Sequence, residues 1–292
     1  MPIGFESRQD CPLCGSDRSN SLTEIPYRDP ILAEFITRFY QGRVPLVLFS
    51  DEKYCLVQCV RCDFIFHSQV LNAEGMTALY SDWVDQQASL EKKQQARSKL
   101  YRQYSNQIEA LGRLLPQPPA RVKILEYGMG WGFWSRMARA HGYDVTGFEL
   151  SEQRCRFAAT QGIDTIAELP EEKAVFDCVY ANQVFEHLYD PLDDLNRLVA
   201  CLKPGGLVYI RVPDGRGVAR EISRHGWSGR LDAVHPFEHI NCFTRKTLID
   251  LGQRAGLKPV NFPLRLNLPR LWGSIKREIA DRYLTTHLLF RN

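Results

Sequence analysis

The sequence predicts an α/β protein built on a doubly wound, mostly parallel β-sheet. From about residue 121 to 260, short apolar stretches of strand length alternate with stretches of helical periodicity. This alternation is typical of right-handed βαβ crossovers, which give a parallel sheet covered by helices on both faces. The chain has 292 residues, 44% of them hydrophobic and 24% charged. It is therefore long and apolar enough to bury the core that such a sheet requires.

The elements of this α/β segment can be assigned in order along the chain. The predicted strands are 122–127, 144–149, 163–166, 176–182, 206–213 and 258–266, and the predicted helices are 134–142, 151–161, 191–202, 244–257 and 271–284. The final THLLFRN is apolar and short, and it is predicted to be a delayed seventh strand, antiparallel between the fifth and sixth.

Three parts are predicted: an N-terminal segment over 1–85, a helical connector over 86–120 and the α/β domain over 121–292. In the connector, apolar residues recur every three or four positions from Leu100 to Leu115, which predicts one buried helix face that Pro116 ends. The opposite face is expected to be solvated, and it carries Lys92, Lys93, Arg97 and Lys99.

Charge and hydropathy limit the classes of partner. Lys and Arg total 37 against 34 Asp and Glu, a net charge of +3, so no nucleic-acid partner is expected. No stretch approaches the roughly 20 apolar residues of a membrane span, and the start MPIGFESRQDC lacks the pattern of a secretory signal, which predicts a cytoplasmic location. Residues 262–292 carry six basic and two acidic side chains. A helix there is expected either to touch a membrane surface or to pack on the sheet edge with a solvated basic face.

Nine cysteines include two CxxC pairs, Cys11 with Cys14 and Cys59 with Cys62. Each pair can place two sulfurs on one metal ion, so the four residues predict a closed, structural zinc site. The alternatives are four reduced core cysteines or a redox motif, although neither pair follows a strand and opens a helix as redox motifs do. Cys55 is left over, either as a substitute ligand or as a buried thiol.

A glycine-rich loop follows the first predicted strand of the α/β domain. It contains Gly128, Gly130 and Gly132, with Glu126 two residues before the first glycine. Ligands of doubly wound sheets bind at the carboxyl ends of the strands, where glycines allow positive φ and close approach to the backbone. The spacing differs from the GxGxxG of dinucleotide sites, and a carboxylate beside the loop suits a positively charged amino group better than a pyrophosphate. The alternative is a tight turn without a ligand.

The second predicted strand ends in Glu149, whose carboxylate can accept hydrogen bonds from both hydroxyls of a ribose. This acid belongs to a set of motifs that resembles the class I S-adenosylmethionine-dependent methyltransferases, which have a Rossmann-like fold. The other motifs are ILEYGMGWG, FDCVYANQVFEHLYDP and LKPGGLVYIRVP. The resemblance covers about residues 121–260. It implies that the three glycines line the methionine part of the cofactor, that Glu149 holds the ribose, and that Asn182 and Gln183 contact the amino acid end. Trp131 is bulkier than is usual there, and it is expected to shield the loop or to narrow the substrate entrance.

The cysteine-rich segment before this domain is similar to that of a methyltransferase subgroup that includes the deoxysugar C-methyltransferases. Its two motifs are CPLCG and PLVLFSDEKYCLVQCVRC. The similarity implies S-adenosylmethionine and structural zinc as cofactors, and a small-molecule substrate such as a nucleotide-linked or lipid-linked sugar. One alternative is an O-methyltransferase of a non-sugar metabolite. The other is a non-catalytic, zinc-bearing binding protein on the same fold. A nucleic-acid methyltransferase is disfavoured because ANQV, not an NPPY-like motif, follows the fourth strand.

The methyl acceptor must lose a proton, which requires a base within hydrogen-bond reach. HPFEHINCFTRKTL resembles the family's Glu-His pair followed by FT, and the resemblance implies that Glu238 and His239 take part in the chemistry. The alternative for His239 is helix capping or packing. His187 is a second catalytic candidate that otherwise orients its loop, and His235 is a third. Relatives often carry Tyr where this chain has Phe237, which implies that a hydroxyl contact to the substrate is lost.

Overall fold

A computed structural model of the chain describes residues 2–261 and 286–292. Contacts within these residues form two compact units. The first unit combines the described residues up to Ser89 with Glu186–Pro191 and Pro213–Leu248. The second contains Leu90–Phe185, Leu192–Val212 and the described residues from Ile249 onward. The three-part division predicted from the sequence stays a prediction.

The elements are numbered here in chain order. The strands are β1 (Phe5–Ser7), β2 (Ser19–Pro26), β3 (Lys53–Cys59), β4 (Ile65–His67), β5 (Gln69–Leu71), β6 (Lys123–Tyr127), β7 (Asp144–Phe148), β8 (Asp164–Ile166), β9 (Phe176–Asn182), β10 (Leu202–Arg211), β11 (Asn241–Cys242), β12 (Lys258–Val260) and β13 (His287–Arg291). The helices are α1 (Pro30–Phe39), α2 (Ala73–Ala78), α3 (Gln86–Gln94), α4 (Ser98–Gly112), α5 (Phe133–Ala140), α6 (Glu152–Thr160), α7 (Pro191–Ala200), α8 (Val218–His225) and α9 (Arg245–Arg254). None of these helices is long and apolar enough to cross a membrane.

The second unit contains a seven-stranded sheet in the order β12-β13-β10-β9-β6-β7-β8. All neighbouring strands are parallel except β13, which is antiparallel to both β10 and β12. The structure thus confirms the predicted doubly wound sheet and its delayed last strand. The predicted strand 258–266 is described only as far as Asn261, and the predicted helix 271–284 lies outside the described residues. Because the chain runs from β6 outward to β8 and returns on the other side at β9, the strand order reverses between β6 and β9.

Helices cover this sheet with apolar side chains, as the sequence pattern predicts. Helix α4 buries Tyr104, Ile108 and Leu111. In α5, Trp134 stacks on Tyr180 of β9 with 3.8 Å between ring centroids. The prediction of a fully solvated basic face in the connector is wrong at Lys93. Its side chain is half-buried, and its Nζ donates to the Tyr104 hydroxyl of α4 at 3.3 Å, since α3 and α4 are two separate helices and not one.

The first unit is built on an antiparallel sheet in the order β11-β4-β3-β2, with β1 and β5 paired separately. Strand β11 comes from the long loop after β10, so this loop completes the sheet of the N-terminal segment. An aromatic core fills the unit, in which Phe237 stacks on Tyr27 at 5.1 Å and lies 5.8 Å from Trp83. The loop that carries Glu238 and His239 is thereby anchored to the N-terminal segment.

Candidate functional site

In the second unit, the three predicted glycines all have a left-handed backbone, with φ of 68° at Gly128, 59° at Gly130 and 69° at Gly132. A Cβ at Gly128 would lie 2.5 Å from a methyl group of Val184, and one at Gly132 would lie 2.7 Å from Ile163. A Cβ at Gly130 would meet no atom within 4 Å. The outer glycines are therefore required for packing as well as for conformation, while the middle one borders open space where a ligand can approach the backbone.

Glu149 lies against this loop. Its Oε2 accepts the Gly130 amide at 2.8 Å, and its Oε1 accepts the amides of Leu150 and Ser151 at 3.0 and 2.9 Å. The Arg154 guanidinium is 3.6 Å from Oε2. The structure thus brings together the glycine loop and the acidic strand end that the sequence pattern selected separately. Each carboxylate oxygen has two lone pairs, so the three amides leave one on Oε2 for a ligand hydroxyl, and a bond from a second hydroxyl requires one of the amide bonds to be replaced.

The predicted cofactor residue Glu126 is buried at the end of β6. Its Oε2 accepts both the amide and the hydroxyl of Ser135, in the first turn of α5, where helix amides lack partners within the helix. Burial raises the pKa of the Glu126 carboxyl to about 8, and the two Ser135 hydrogen bonds and, to a smaller extent, the Lys93 charge oppose this rise. Glu126 therefore fixes the start of α5, and any contact to a ligand amino group comes in addition to this role.

The carboxyl end of β9 has a strained backbone. Gln183 has φ of 59°, which is uncommon for a residue other than glycine, and its amide donates to the Arg211 carbonyl at 2.8 Å. The Asn182 side-chain oxygen accepts from the Arg211 guanidinium at 3.4 Å. Such strain is concentrated at functional sites, and it lies beside the point where the strand order reverses.

Trp131 is buried, and its ring meets that of Phe157 edge-on at 5.4 Å. It belongs to the hydrophobic core of the second unit. The expectation that Trp131 shields the loop or narrows the substrate entrance stays a prediction, and the burial of its ring favours shielding. The extra bulk stabilises the loop from within.

The four predicted zinc ligands cluster in the first unit. The sulfurs of Cys11 and Cys62 are 3.6 Å apart, those of Cys14 and Cys59 are 3.5 Å apart, and all four lie within 4.8 Å of one another. Zinc bound tetrahedrally at about 2.3 Å requires sulfurs roughly 3.8 Å apart, so the cluster has suitable dimensions and the right donors.

Both cysteine pairs are followed by a left-handed residue, Gly15 with φ of 66° and Asp63 with φ of 64°. The amide of each of these residues donates back to the first cysteine of its pair, at 2.8 and 3.1 Å. Cys55 lies in β3 opposite Glu24 and is not part of the four-sulfur cluster. The two pairs therefore form matching knuckles, with Cys55 outside them.

The predicted catalytic residues lie together in the first unit. The His187 Nδ1 donates to the main-chain carbonyl of Glu238 at 2.8 Å, and the rings of His187 and His239 are 5.0 Å apart. The N–H at His239 Nδ1 donates to the Asp232 carbonyl. Because a carbonyl only accepts, this bond selects the tautomer in which His239 Nε2 carries a lone pair. Burial lowers the pKa of His239, with a smaller opposing effect from Asp232, so the ring is neutral at neutral pH.

His235 has mainly a packing role. Its Nε2 donates to the Gly229 carbonyl at 3.2 Å, and its ring lies 4.9 Å from Phe35 and 5.2 Å from Phe39. Phe237 also packs in the aromatic core, where its ring is 2% exposed. The loss of a hydroxyl contact to the substrate at this position stays a prediction.

Sequence reasoning missed several polar groups around these histidines. The ligand atoms of Glu186, His187 and His239 lie within 4.8 Å of one another, as do those of Asp232, His235 and His239. The Tyr40 hydroxyl reaches Glu238 from the end of α1. Glu186 is adjacent to His187 in the sequence, and this adjacency could have identified it as a candidate. Nothing in the sequence pattern around Tyr40 or Asp232 indicates a site.

Comparisons with known proteins identify similar methyltransferases. A protein-family profile described as "Methyltransferase domain" matches residues 96–261. The chain is 35% identical to the ubiquinone biosynthesis O-methyltransferase of Caulobacter vibrioides over 40% of this chain and 51% of that protein. It is 33% identical to the tRNA U34 carboxymethyltransferase of Trichlorobacter lovleyi over 32% of this chain and 33% of that protein.

Among solved structures, an S-adenosylmethionine-dependent methyltransferase from Mesorhizobium loti is 18% identical and aligns with 63% of this chain and 96% of its own, with a TM-score of 0.47. The chain spans about half, or less, of the length of the first curated relatives it matches. The family match itself covers more than half of the chain. The chain therefore belongs to the methyltransferase-domain family.

Proposed function

We propose that this chain transfers the methyl group of S-adenosylmethionine to a small molecule of a sugar or glycan pathway. The observation that carries the proposal is the 2.8 Å bond between the Gly130 amide and Glu149, at the carboxyl ends of β6 and β7. It combines a loop open to a ligand with a carboxylate suited to a ribose, next to the point where the strand order reverses.

The residues present fit this cofactor. Gly128, Gly130 and Gly132 would line its methionine part, Glu149 would hold the ribose hydroxyls, and Asn182 with Gln183 would contact its amino acid end. The cofactor supplies a methyl group already activated by its sulfonium, so the protein has mainly to align the acceptor and to remove a proton. Glu126 keeps α5 at the edge of the loop and so preserves its shape.

We expect S-adenosylmethionine and its demethylated product to bind with micromolar-range affinity in calorimetry. Glu149→Ala should weaken binding about 10- to 100-fold, because hydrogen bonds to a charged group are lost. Glu152→Ala is the matched control, since Glu152 is an exposed acid three residues away, and within 2–261 and 286–292 its ion pair is with Arg156 on the same helix. Equal affinity of the parent and a folded Glu149→Ala variant would contradict the assignment of the ribose site.

The acceptor side is assigned to the cluster of His187, Glu238 and His239. In this proposal the neutral His239 Nε2 takes the proton of the acceptor, and His187 holds the main chain of Glu238 in place. Support for a sugar acceptor comes from the resemblance of the Glu-His segment and the cysteine pairs to the deoxysugar C-methyltransferases. O-methylation of a non-sugar metabolite is the second candidate, because several relatives are named as ubiquinone biosynthesis O-methyltransferases.

Mass spectrometry after incubation with labelled cofactor separates these acceptors. The proposal expects label on a nucleotide-linked or lipid-linked sugar, whereas label on hydroxylated aromatic compounds would favour the second candidate. Transfer RNA belongs in the same panel, because one relative is named for a tRNA reaction. The exclusion of nucleic acid as a partner and the cytoplasmic location both stay predictions.

We also propose that Cys11, Cys14, Cys59 and Cys62 hold one structural zinc ion. Four thiolates close the coordination sphere, so the metal would stabilise the fold of the first unit and would not meet the substrate. The spacing of the sulfurs and the two left-handed knuckles support this role.

A further inference from the structure

The Tyr40 hydroxyl lies between two oxygen atoms of the segment that carries the Glu-His pair. It is 3.0 Å from Glu238 Oε2 and 3.1 Å from the Pro236 carbonyl oxygen. The Tyr40 side chain is buried. A tyrosine hydroxyl has one proton to donate, and a carbonyl has none. The number of protons shared by these three oxygens therefore depends on the state of Glu238.

If Glu238 is ionised, the Tyr40 hydroxyl proton is the one proton available to the three oxygen atoms. Tyr40 can then donate to either Glu238 or Pro236, and the other oxygen–oxygen contact has no hydrogen between its atoms. If Glu238 is neutral, Tyr40 donates to Pro236 and the carboxyl proton of Glu238 is donated to Tyr40. Both contacts are then ordinary hydrogen bonds. Buried oxygens that lack a shared proton are costly, so the neutral arrangement is the more stable.

We infer that Glu238 is held as the neutral carboxylic acid between Tyr40 and Pro236, and that the Glu-His pair therefore combines a hydrogen-bond donor, Glu238, with a proton acceptor, His239 Nε2. The catalytic use of this pair rests on the proposed function. The protonation state of Glu238 does not, because it follows from contacts within the first unit.

The electrostatic surroundings of Glu238 act in the same direction. Burial raises the pKa of the Glu238 carboxyl, and the Asp232 charge raises it further; the Tyr40 hydroxyl lowers this pKa only when it donates to the carboxylate, whereas in the neutral arrangement it donates to Pro236. His187 bonds to the main-chain carbonyl of Glu238 and not to its carboxyl. Nearby, burial lowers the pKa of His239. Both shifts favour the neutral form of the group concerned, and a neutral carboxylic acid beside a neutral imidazole can serve as donor and acceptor at one pH.

The backbone fixes this arrangement. Phe237, directly before Glu238, has φ of 67°, a strained value for a bulky side chain. Its ring is held in place by Tyr27 at 5.1 Å and Phe49 at 5.6 Å, and the Tyr40 ring lies 6.0 Å away. The aromatic core of the first unit thus offsets the strain and aims Glu238 at Tyr40. Tyr40 acts through Glu238 and is a positioning residue.

Infrared difference spectroscopy of the parent against Glu238→Gln tests the inference without turnover. At pH 7 we expect the parent to show the carbonyl stretch of a protonated carboxyl group that the variant lacks. A difference spectrum with carboxylate bands alone would overturn the inference. Because the measurement needs neither cofactor nor acceptor, its failure is distinct from failure of the proposed function.

Tyr40→Phe tests the positioning role. In the neutral arrangement the Tyr40 hydroxyl accepts the carboxyl proton of Glu238, so its removal takes away a partner of the neutral acid and should shift the titration of Glu238 downward by about one pH unit. Tyr27→Phe is the matched control, because it removes a buried hydroxyl from the same aromatic core without a contact to Glu238. An unchanged titration in Tyr40→Phe would contradict the role of its hydroxyl.

Turnover gives an independent reading. Glutamine can donate a hydrogen bond but cannot carry a charge, so Glu238→Gln should keep activity within about 10-fold of the parent, while Glu238→Ala should lose clearly more. If the carboxylate is the working form, Gln and Ala should be equally poor, and this result would overturn the assignment of Glu238 as donor.

Discussion

Replacing His239 by alanine should lower the rate of methyl transfer by roughly 10²- to 10⁴-fold, the usual contribution of a general base. His239 Nδ1 is occupied by the Asp232 carbonyl, which leaves Nε2 free to accept a proton. Burial lowers the pKa of the ring, so the neutral form predominates at neutral pH. The loss should appear in turnover, because the glycine loop and Glu149 belong to the second unit and are unchanged.

Two further variants make this test specific. In His239→Asn, the side-chain amide can donate to Asp232 in place of Nδ1 but cannot serve as a base, so its rate should fall as far as that of His239→Ala. His225→Ala is the control, because His225 is an exposed histidine at the end of α8. Activity of His239→Ala within a few-fold of the parent would assign His239 to packing and transfer the search to His187.

The pH profile of the parent enzyme supplies an independent check. The base works only when neutral, and its pKa in the folded protein lies below that of a free imidazole, about 6.5. Activity should therefore persist below pH 6.5 and fall as the pH drops through the lowered pKa. An acid limb at or above pH 6.5 would indicate a base in a more solvated environment.

The sheet of the second unit could be predicted from the sequence because its signals are local. Each strand and helix leaves its own periodicity, and parallel strands end at the same edge, so the glycine loop, Glu149 and Asn182 could be placed without knowledge of distant contacts. The strained backbone of Gln183 could not be predicted, because a glutamine in the sequence does not indicate a left-handed conformation. The contact of Lys93 with Tyr104 could not be predicted, because the sequence pattern did not show that the connector forms two separate helices.

The first unit was harder to predict because its contacts join distant parts of the chain. Strand β11 has two residues, too few for any periodicity, and it pairs with β4 about 175 positions earlier in the chain. Arg8 reinforces this link, since its guanidinium donates to the Ile240 carbonyl at 3.3 Å and to the Asn241 side chain at 2.9 Å. Neither Tyr40 nor Arg8 belongs to a motif, and their roles depend wholly on this long-range pairing.

The zinc proposal predicts the largest effect on stability. We expect about one zinc ion per chain, and replacement of Cys59 and Cys62 by serine should remove it and destabilise the first unit. Structural zinc sites contribute on the order of 10 kcal/mol in small domains, where metal binding and folding are coupled. Elemental analysis and thermal unfolding measure both effects. Cys55→Ser is the matched control, because Cys55 lies in the same sheet but outside the four-sulfur cluster.

Loss of zinc should also abolish methyl transfer while leaving cofactor binding intact. The second knuckle leads directly into β4, where the His67 amide donates to the Ile240 carbonyl at 3.0 Å and Ile65 pairs with Cys242. These bonds hold the residues that immediately follow Glu238 and His239. Gly130 and Glu149 belong to the second unit, so S-adenosylmethionine should bind the serine variant with the affinity of the parent.

Metal stoichiometry then decides between the two roles open to His239. One zinc per chain, lost in the serine variant, agrees with a closed thiolate site and a free His239 Nε2. Zinc retained in that variant would contradict the cysteine site. A second metal ion in the parent would point to one of the two groups that contain His239, either with Glu186 and His187 or with Asp232 and His235, because the ligand atoms of each group lie within 4.8 Å of one another. A metal-bound His239 could not act as the base, because the same lone pair of Nε2 serves either the metal or the proton.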